Sequence, residues 1–502
     1  MAFIFPKILN LTTLALAVYL YLFTTVDAAP VDNSKPKKKN IILLIGDGFG
    51  PSGVTLARHY KQVKNNLSPR DLLFMDSFLI GAQRTSSNSS FITDSAAAGT
   101  ALATGHKTIN GQISVDVNKK PVGAIGEALK LLGYTVGLVV TTSVGDATPC
   151  VWVSHAESRS DQDLIVEQMV GQTHPMGPVA DLIIGGGRDW FIGLDQGGKR
   201  RDNRSLIEEV QKNGTWTYVG DRAGFDSLDK GKNVSLPLLG LFAKDNYPYR
   251  IDRKDSEYPN LVEQTQVALN VLTEHTKDND KGFFLMVESS RIDHSGHENC
   301  VQAHAQEALE YDQVINLVHN YTKNADVDTV VVATADHETG GLVLNQKTPN
   351  DFKVVFNATH SGEYLAKQIL TYKEQDKLAD FVKETVIEQG LGLTNYTDEE
   401  VTRLVNIAQK NSTTTATTLG VAIANLTSSR AKAYWGSLDH TSVDVDLYAF
   451  SNADYLQQKV TNVREGLAGF HENTDFSVFI KSIEDIDLDK ATELVANVRT
   501  KY

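Results

Sequence analysis

The stretch Asn40-Ile41-Ile42-Leu43-Leu44-Ile45-Gly46-Asp47-Gly48 decides the fold. Five consecutive apolar residues without polar alternation predict a strand covered on both faces, the habit of a parallel sheet, and an aspartate stands at its carboxyl end. The same order recurs along the chain. Thr135 to Val140 is followed by Asp146, Phe283 to Val287 by Glu288, and Val327 to Ala333 by Asp336-His337, while Leu182 to Ile184 is a fifth apolar run. Helical patterns lie between, such as Val301 to Tyr321, where Ala305, Ala308, Val314, Ile315 and Val318 recur at spacings of three and four. Strands alternating with helices predict an α/β fold: a large, mostly parallel central sheet flanked by helices on both faces.

The 502 residues carry 62 acidic against 48 basic side chains, a net charge of -14, which works against a surface built for nucleic-acid backbone. Only Cys150 and Cys300 are available as thiols, so disulfide scaffolds and thiolate metal sites are excluded; whether the two pair stays open. Residues 1–28, with Lys7, the apolar run Leu14 to Phe23 and Val26-Asp27-Ala28, predict a secretory signal peptide, with a signal anchor as the rival. The apolar run is well short of the roughly 20 residues that cross a bilayer, so a cleaved leader leaves no membrane span. Past it, ten Asn-x-Ser/Thr triplets from Asn66 to Asn425 predict an N-glycosylated protein, secreted or vacuolar. Residues 29–39 read as a basic tether and 40–502 as a single domain. Within it, about 347–431 holds four of the triplets and a threonine run, and reads as a glycosylated insertion to which no chemistry is assigned.

In a parallel sheet all carboxyl ends share one edge, so Asp47, Asp146, Glu288 and Asp336 converge there. One acid after a strand is most often a turn former or cap, but four together repel by several kcal/mol unless cations neutralise them. The convergence predicts bound metal. Asp293 and His297, spaced i, i+4, share one face of a helix and suit zinc. His337 adjoins Asp336, and His440 precedes the alternating segment Val443 to Phe450. The remaining histidines, among them His59, His106, His174 and His319, lack such a setting and read as core or surface residues. A nucleophile is offered by Thr93-Asp94-Ser95-Ala96-Ala97-Ala98-Gly99, where Ser95 falls in the first turn of a helix whose free N–H groups favour an alkoxide and a phosphate. The plainer alternative there is a helix cap.

Ile45 to Gly48, Thr93 to Thr100, Asp146-Ala147-Thr148-Pro149, Val287 through His297, Ala335 to Gly341 and His440-Thr441 stand in the order found in alkaline phosphatases. The chain resembles that family from about Lys39 to its C-terminus. The resemblance implies broad phosphate-monoester hydrolysis at alkaline pH through a phosphoserine, with two zinc ions and one magnesium ion per subunit, in a homodimer. By position, Asp293, His297 and His440 are implied as ligands of the first zinc. Asp336, His337, Asp47 and Ser95 are implied for the second, and Asp47, Thr148 and Glu288 for magnesium. Arg159 is implied to clamp phosphate with Asp94 orienting it. Asp146, beside the magnesium site, resembles the bacterial members, whereas His294, after Asp293, resembles the animal ones. A phosphodiesterase of the same superfamily is the alternative, and a phosphate-binding or metal-storage glycoprotein is the non-enzymatic one. The Arg159, Thr148 and Glu288 set favours monoesters, and a sulfatase's Pro and Arg after the nucleophile are missing.

Overall fold

The computed structural model describes residues 37–502 apart from 233 and 411. The signal peptide, most of the tether and the triplet asparagines 233 and 411 lie outside the described residues. Ten strands build one sheet: β1 (Lys39–Gly46), β2 (Leu79–Arg84), β3 (Thr135–Ser143), β4 (Leu182–Gly186), β5 (Thr217–Val219), β6 (Leu238–Leu241), β7 (Phe283–Ser289), β8 (Asp328–Thr334), β9 (Val445–Ser451) and β10 (Gly469–Glu472). Their spatial order is β10-β2-β9-β8-β1-β7-β3-β4-β6-β5. Every pairing is parallel except those of β9, which runs antiparallel to β2 and β8. The five apolar runs of the sequence are β1, β3, β4, β7 and β8.

The unbroken apolar runs are explained by where alternate residues go. Ile41, Leu43 and Ile45 of β1 join Val136, Leu138, Phe284 and Met286 in one core, beneath α1 (Ser95–Thr104) and α2 (Ile125–Leu131). Ile42 and Leu44 join Val139, Leu285 and Val287 in a second core on the opposite face. That face is covered by α3 (Leu261–Thr276) and α5 (Val301–Asn324), the latter following the short α4 (Arg291–His297). Each buried side chain of this kind contributes about 1.5–3 kcal/mol, so both faces of the sheet are strongly specified. No helix among the described residues is long and apolar enough to cross a membrane.

The segment 347–431, read from sequence as an insertion, has a structure of its own. It folds into helices, among them α6 (Gly362–Thr371) and α7 (Thr415–Arg430), around its own core of Leu365, Ile369, Val382, Ile387, Leu404, Leu419 and Ile423. Ala424 of α7 packs in a small cluster with Tyr249, Cys300 and Ala303, which joins this cap to α5. Cys300 is therefore part of a packing joint, and both it and Cys150 are buried free thiols.

Candidate active site

The four central strands, adjacent in the order β8-β1-β7-β3, bring their carboxyl ends and acids together. Asp47 follows β1, Glu288 is the penultimate residue of β7, Asp336-His337 follow β8, and Asp146 caps the short helix Ala147–Cys150 after β3. The turn after Asp47 needs glycine. Gly48 has φ +69°, and a Cβ there would stand 2.6 Å from the Cα of Asp293. Asp293 and His297 share a face of α4, with Nε2 to Oδ2 at 3.3 Å, as their spacing predicts. His440 arrives from far along the chain because His440-Thr441 pairs antiparallel with Glu338-Thr339, the residues next to His337.

Two ligand groups result. Asp293, His337 and His440 offer atoms within 4.8 Å of one another, and so do Asp47, Asp336 and His337. His297 joins the first, its Nε2 3.1 Å from that of His440. This contact tests whether a cation fits. The Nδ1 of His297 faces the carbonyl of Leu438 at 2.5 Å and the Nδ1 of His440 faces that of Thr93 at 2.9 Å, so each Nδ1 carries a proton and donates. With both rings neutral the two Nε2 atoms would turn lone pairs on one another, an arrangement relieved by a cation between them, a proton on His297 or a metal ion in its place. Asp47 Oδ1, Asp336 Oδ2 and Thr148 Oγ1 are likewise buried with no hydrogen-bond partner among the described residues. Such orphaned oxygens in an acidic pocket suit a divalent ion.

The electrostatics agree. Burial, then the charges of Asp336, Asp293 and Glu288, push the Asp47 carboxyl well above the usual range. Burial also drives Glu288 up to about 8 and, with Asp293, Asp336 up to about 6. Burial opposes ionisation of Asp293 too, but the hydrogen bond and charge of His297 hold it well below the ordinary carboxylate value, and although burial works against a charge on His297, Asp293 in turn raises that imidazole to about 9. His337 is driven down by burial and then by His440, so its imidazole is neutral.

Ser95 is the first residue of α1, and Asp94 is its cap, accepting the N–H of Ala97 at 2.9 Å. The Ser95 Oγ lies 3.1 Å from His337 Nε2, which places it against the second ligand group. Asp94 is a cap and more: its other oxygen accepts from Arg159 at 3.3 Å, and Asp146 accepts from the same guanidinium at 2.8 Å. Burial works against the Arg159 charge, and Asp146 and Asp94 more than restore it. Beside them, burial and the Arg291 guanidinium lower His294 to about 4.

Several contacts carry no sequence signal. Thr339 donates to Asp293 at 2.5 Å, Ser290 donates to Glu288 at 2.8 Å, and Arg291 donates to His294. A separate buried group joins Glu127, His155 and His174. His174, read from sequence only as a core or surface residue, is in the core, and its partners lie 47 and 19 positions away with no shared motif. In this group Met176 N–H donates to His174 Nδ1, so His174 Nε2 carries the proton it gives to Glu127. That is a hydrogen-bonded core network and a poor metal site, because the imidazole nitrogens that face Glu127 carry protons and have no lone pair to give an ion.

Paired acid and imidazole clusters, a serine on a helix N-terminus and a forked arginine define a metal-dependent phosphoesterase. Residues 38–486 match the alkaline phosphatase family. The repressible alkaline phosphatase of Saccharomyces cerevisiae is 40% identical over 487 residues, covering 92% of this chain and 84% of its own. The alkaline phosphatase of Schizosaccharomyces pombe is 34% identical with the same coverages. Among solved structures, the cold-active alkaline phosphatase of a psychrophilic Shewanella species superposes with a TM-score of 0.70 at 29% identity, covering 88% of this chain and 99% of that one. The chain belongs to the alkaline phosphatase family, and it is a phosphoric monoester hydrolase.

Proposed function

We propose that the chain hydrolyses a broad range of phosphate monoesters at alkaline pH through a phosphoserine on Ser95, with two zinc ions and one magnesium ion per subunit. The observation that carries this reading is Ser95 Oγ set at a helix N-terminus, 3.1 Å from His337 and against the acid cluster. Asp293, His297 and His440 would hold one zinc, Asp47, Asp336, His337 and Ser95 the other, and Asp47, Thr148 and Glu288 magnesium, with Asp146 beside it. When bound, the ions neutralise the crowded carboxylates, acidify the serine hydroxyl and stabilise charge on the attacking and leaving oxygens.

The chain's own groups do the rest. Arg159, fixed by Asp94 and Asp146, presents two N–H bonds to two phosphate oxygens, a match that a lysine cannot make. The free N–H groups opening α1 add to the field that attracts the anion. Ser95 Oγ bonds to phosphorus as the ester oxygen leaves and takes up a proton. Water then breaks the Ser95–phosphorus bond, returning serine and free phosphate. Two in-line displacements retain configuration at phosphorus. Phosphodiester cleavage by the same site is the second reading. A monoester has three free oxygens, enough for the Arg159 fork and one more for the metal ligands' side, whereas a diester has two in all, so Arg159 together with that cluster favours the monoester.

The proposal extends to a secreted or vacuolar N-glycosylated homodimer, supported by the leader, the Asn-x-Ser/Thr triplets and the family resemblance. The test is turnover of p-nitrophenyl phosphate between pH 7 and 10, with bis-p-nitrophenyl phosphate and p-nitrophenyl sulfate alongside. Monoester turnover is expected to exceed both, to vanish with EDTA, to return with zinc plus magnesium and to be absent in Ser95→Ala. A preference for the diester would overturn the reading.

A further inference from the structure

Two residues of the first ligand group depend on one crossing segment, residues 437–441. His440 brings its own ring, and the carbonyl of Leu438 accepts from Nδ1 of His297 and so fixes that ring as well. The segment is tied down along its length. Asn299 donates to the carbonyl of Ser437 at 2.8 Å, Gly340 N–H donates to that of Asp439 at 3.0 Å, and His440-Thr441 bridges to Glu338-Thr339 at the far end.

At that far end stands a buried carboxylate. A carboxylate taken out of water needs donors, and Glu338, only 4% exposed, finds them on both sides of the bridge. The Thr441 hydroxyl donates to its Oε2, and Gly341 N–H donates to both oxygens, at 3.1 and 3.3 Å. Gly341 can aim its N–H this way because Gly340 and Gly341 run at φ +91° and +60°, a course that glycine takes without strain. On the body side the stem of Glu338 fills the space that Gly50 leaves open, just past the turn that carries Asp47. Glu338 is thus fixed to the body of the fold and reaches across to the crossing segment. The second ligand group has no such dependence: Asp47 and Asp336 follow β1 and β8, and Ser95 opens α1.

We propose that Glu338 and Thr441 are positioning residues, a clasp that holds segment 437–441 in place and so retains the metal ion at Asp293, His297 and His440 while leaving the ion beside Ser95 unaffected. The proposal rests on the two-metal reading of the site and not on the covalent step at Ser95. Both residues act through His440 and through the Leu438 carbonyl on His297.

The test is chelator-driven zinc release from the purified enzyme loaded with zinc and magnesium, followed by the colour of 4-(2-pyridylazo)resorcinol. Thr441→Val keeps the shape of a half-buried side chain and removes the hydroxyl. One zinc per subunit is expected to leave about tenfold faster than in the wild type, the scale on which outer-shell partners act, while the other keeps its wild-type rate. Thr441→Ser retains the hydroxyl and is expected to stay within about twofold of wild type. Glu338→Ala is expected to match Thr441→Val, and the double variant to be no faster than Glu338→Ala alone, because the two residues act as one unit. Should Glu338→Ala fail to fold, Thr441→Val against Thr441→Ser carries the comparison by itself. A general structural role would speed both ions together. That result, or wild-type release in Thr441→Val, or a Thr441→Ser as fast as Thr441→Val, would overturn the proposal. Zinc content and p-nitrophenyl phosphate turnover of the wild type in the same preparations separate the two readings. Selective loss in the variants without turnover by the wild type fails the proposed reaction alone, turnover with unselective loss fails the clasp alone, and a wild type that holds fewer than two zinc ions per subunit fails both.

Discussion

Glu127→Gln perturbs a network whose protonation can be read from its contacts. His155 Nδ1 faces the carbonyl of Ser114 and its Nε2 faces Glu127 Oε1, both at 2.7 Å, so each nitrogen must donate and the ring is a cation. The same Glu127 oxygen accepts from His174 at 2.8 Å, and the other accepts the N–H of Ala124 at 2.7 Å. All three side chains are fully buried. Burial alone would raise Glu127, but His155 and His174 reverse that and bring it to about 2, against 4.5 for a free glutamate. That difference is worth about 3 kcal/mol. Burial disfavours the charge on His155, yet Glu127 and the Ser114 carbonyl raise it above 6.5. Glutamine removes the charge and sets an amide N–H against either Ala124 or an imidazole, leaving the His155 cation uncompensated, so a loss of about 3–5 kcal/mol is expected near pH 6. The pH dependence follows from the direction of each shift. The raised His155 contributes stability that is fully present below pH 6.5 and is lost as pH rises through its folded value. The lowered Glu127 contributes stability present above pH 4.5 and lost as pH falls toward 2. Between pH 6 and 9, therefore, the deficit of the variant should shrink, by up to about 1.4 kcal/mol per pH unit where His155 loses its proton. Guanidinium unfolding of both proteins at half-unit steps across this range measures it. A deficit below about 1 kcal/mol, or one that is flat with pH, would refute a buried His155 cation.

Other outcomes follow from the site. Arg159→Lys loses the fork held by Asp94 and Asp146 and is expected to raise the phosphate inhibition constant at least tenfold while leaving unfolding within about 1 kcal/mol. Gly48→Ala puts a methyl 2.6 Å from the Asp293 backbone at a positive φ, so a loss of about 1–3 kcal/mol is expected, together with metal loss at lower chelator concentration in a zinc-release titration. Ser95→Ala deletes a buried hydroxyl oxygen at a helix N-terminus and is expected to abolish monoester turnover without lowering zinc content by more than one ion.

What the sequence disclosed was what local pattern can carry. Ile41 to Ile45 reads as a doubly covered strand because both neighbours of every residue are apolar, and Asp47, Glu288 and Asp336 mark strand ends because a charge cannot continue such a run. Asp293 and His297 are legible because helical spacing fixes their shared face. The short edge strands β5 and β10 escaped because three or four residues carry too little periodicity. His440 escaped any reading by spacing because a two-residue antiparallel bridge to Glu338-Thr339 brings it in. The helices of the cap were not legible either: its threonines and Asn-x-Ser/Thr triplets advertise surface, while Leu365, Val382 and Leu404 gather only once its helices pack. The Glu338–Thr441 clasp and the Glu127 group are joined by contacts across tens of residues, which composition and period do not encode.

The covalent step on Ser95 is tested most directly by mixing the metal-replete enzyme with 32P-labelled phosphate, quenching in acid and mapping the labelled peptide. The account expects up to one phosphate per subunit, on Ser95, in the wild type and none in Ser95→Ala. Label on another residue, or an enzyme that turns over monoesters with Ser95 replaced, would contradict it.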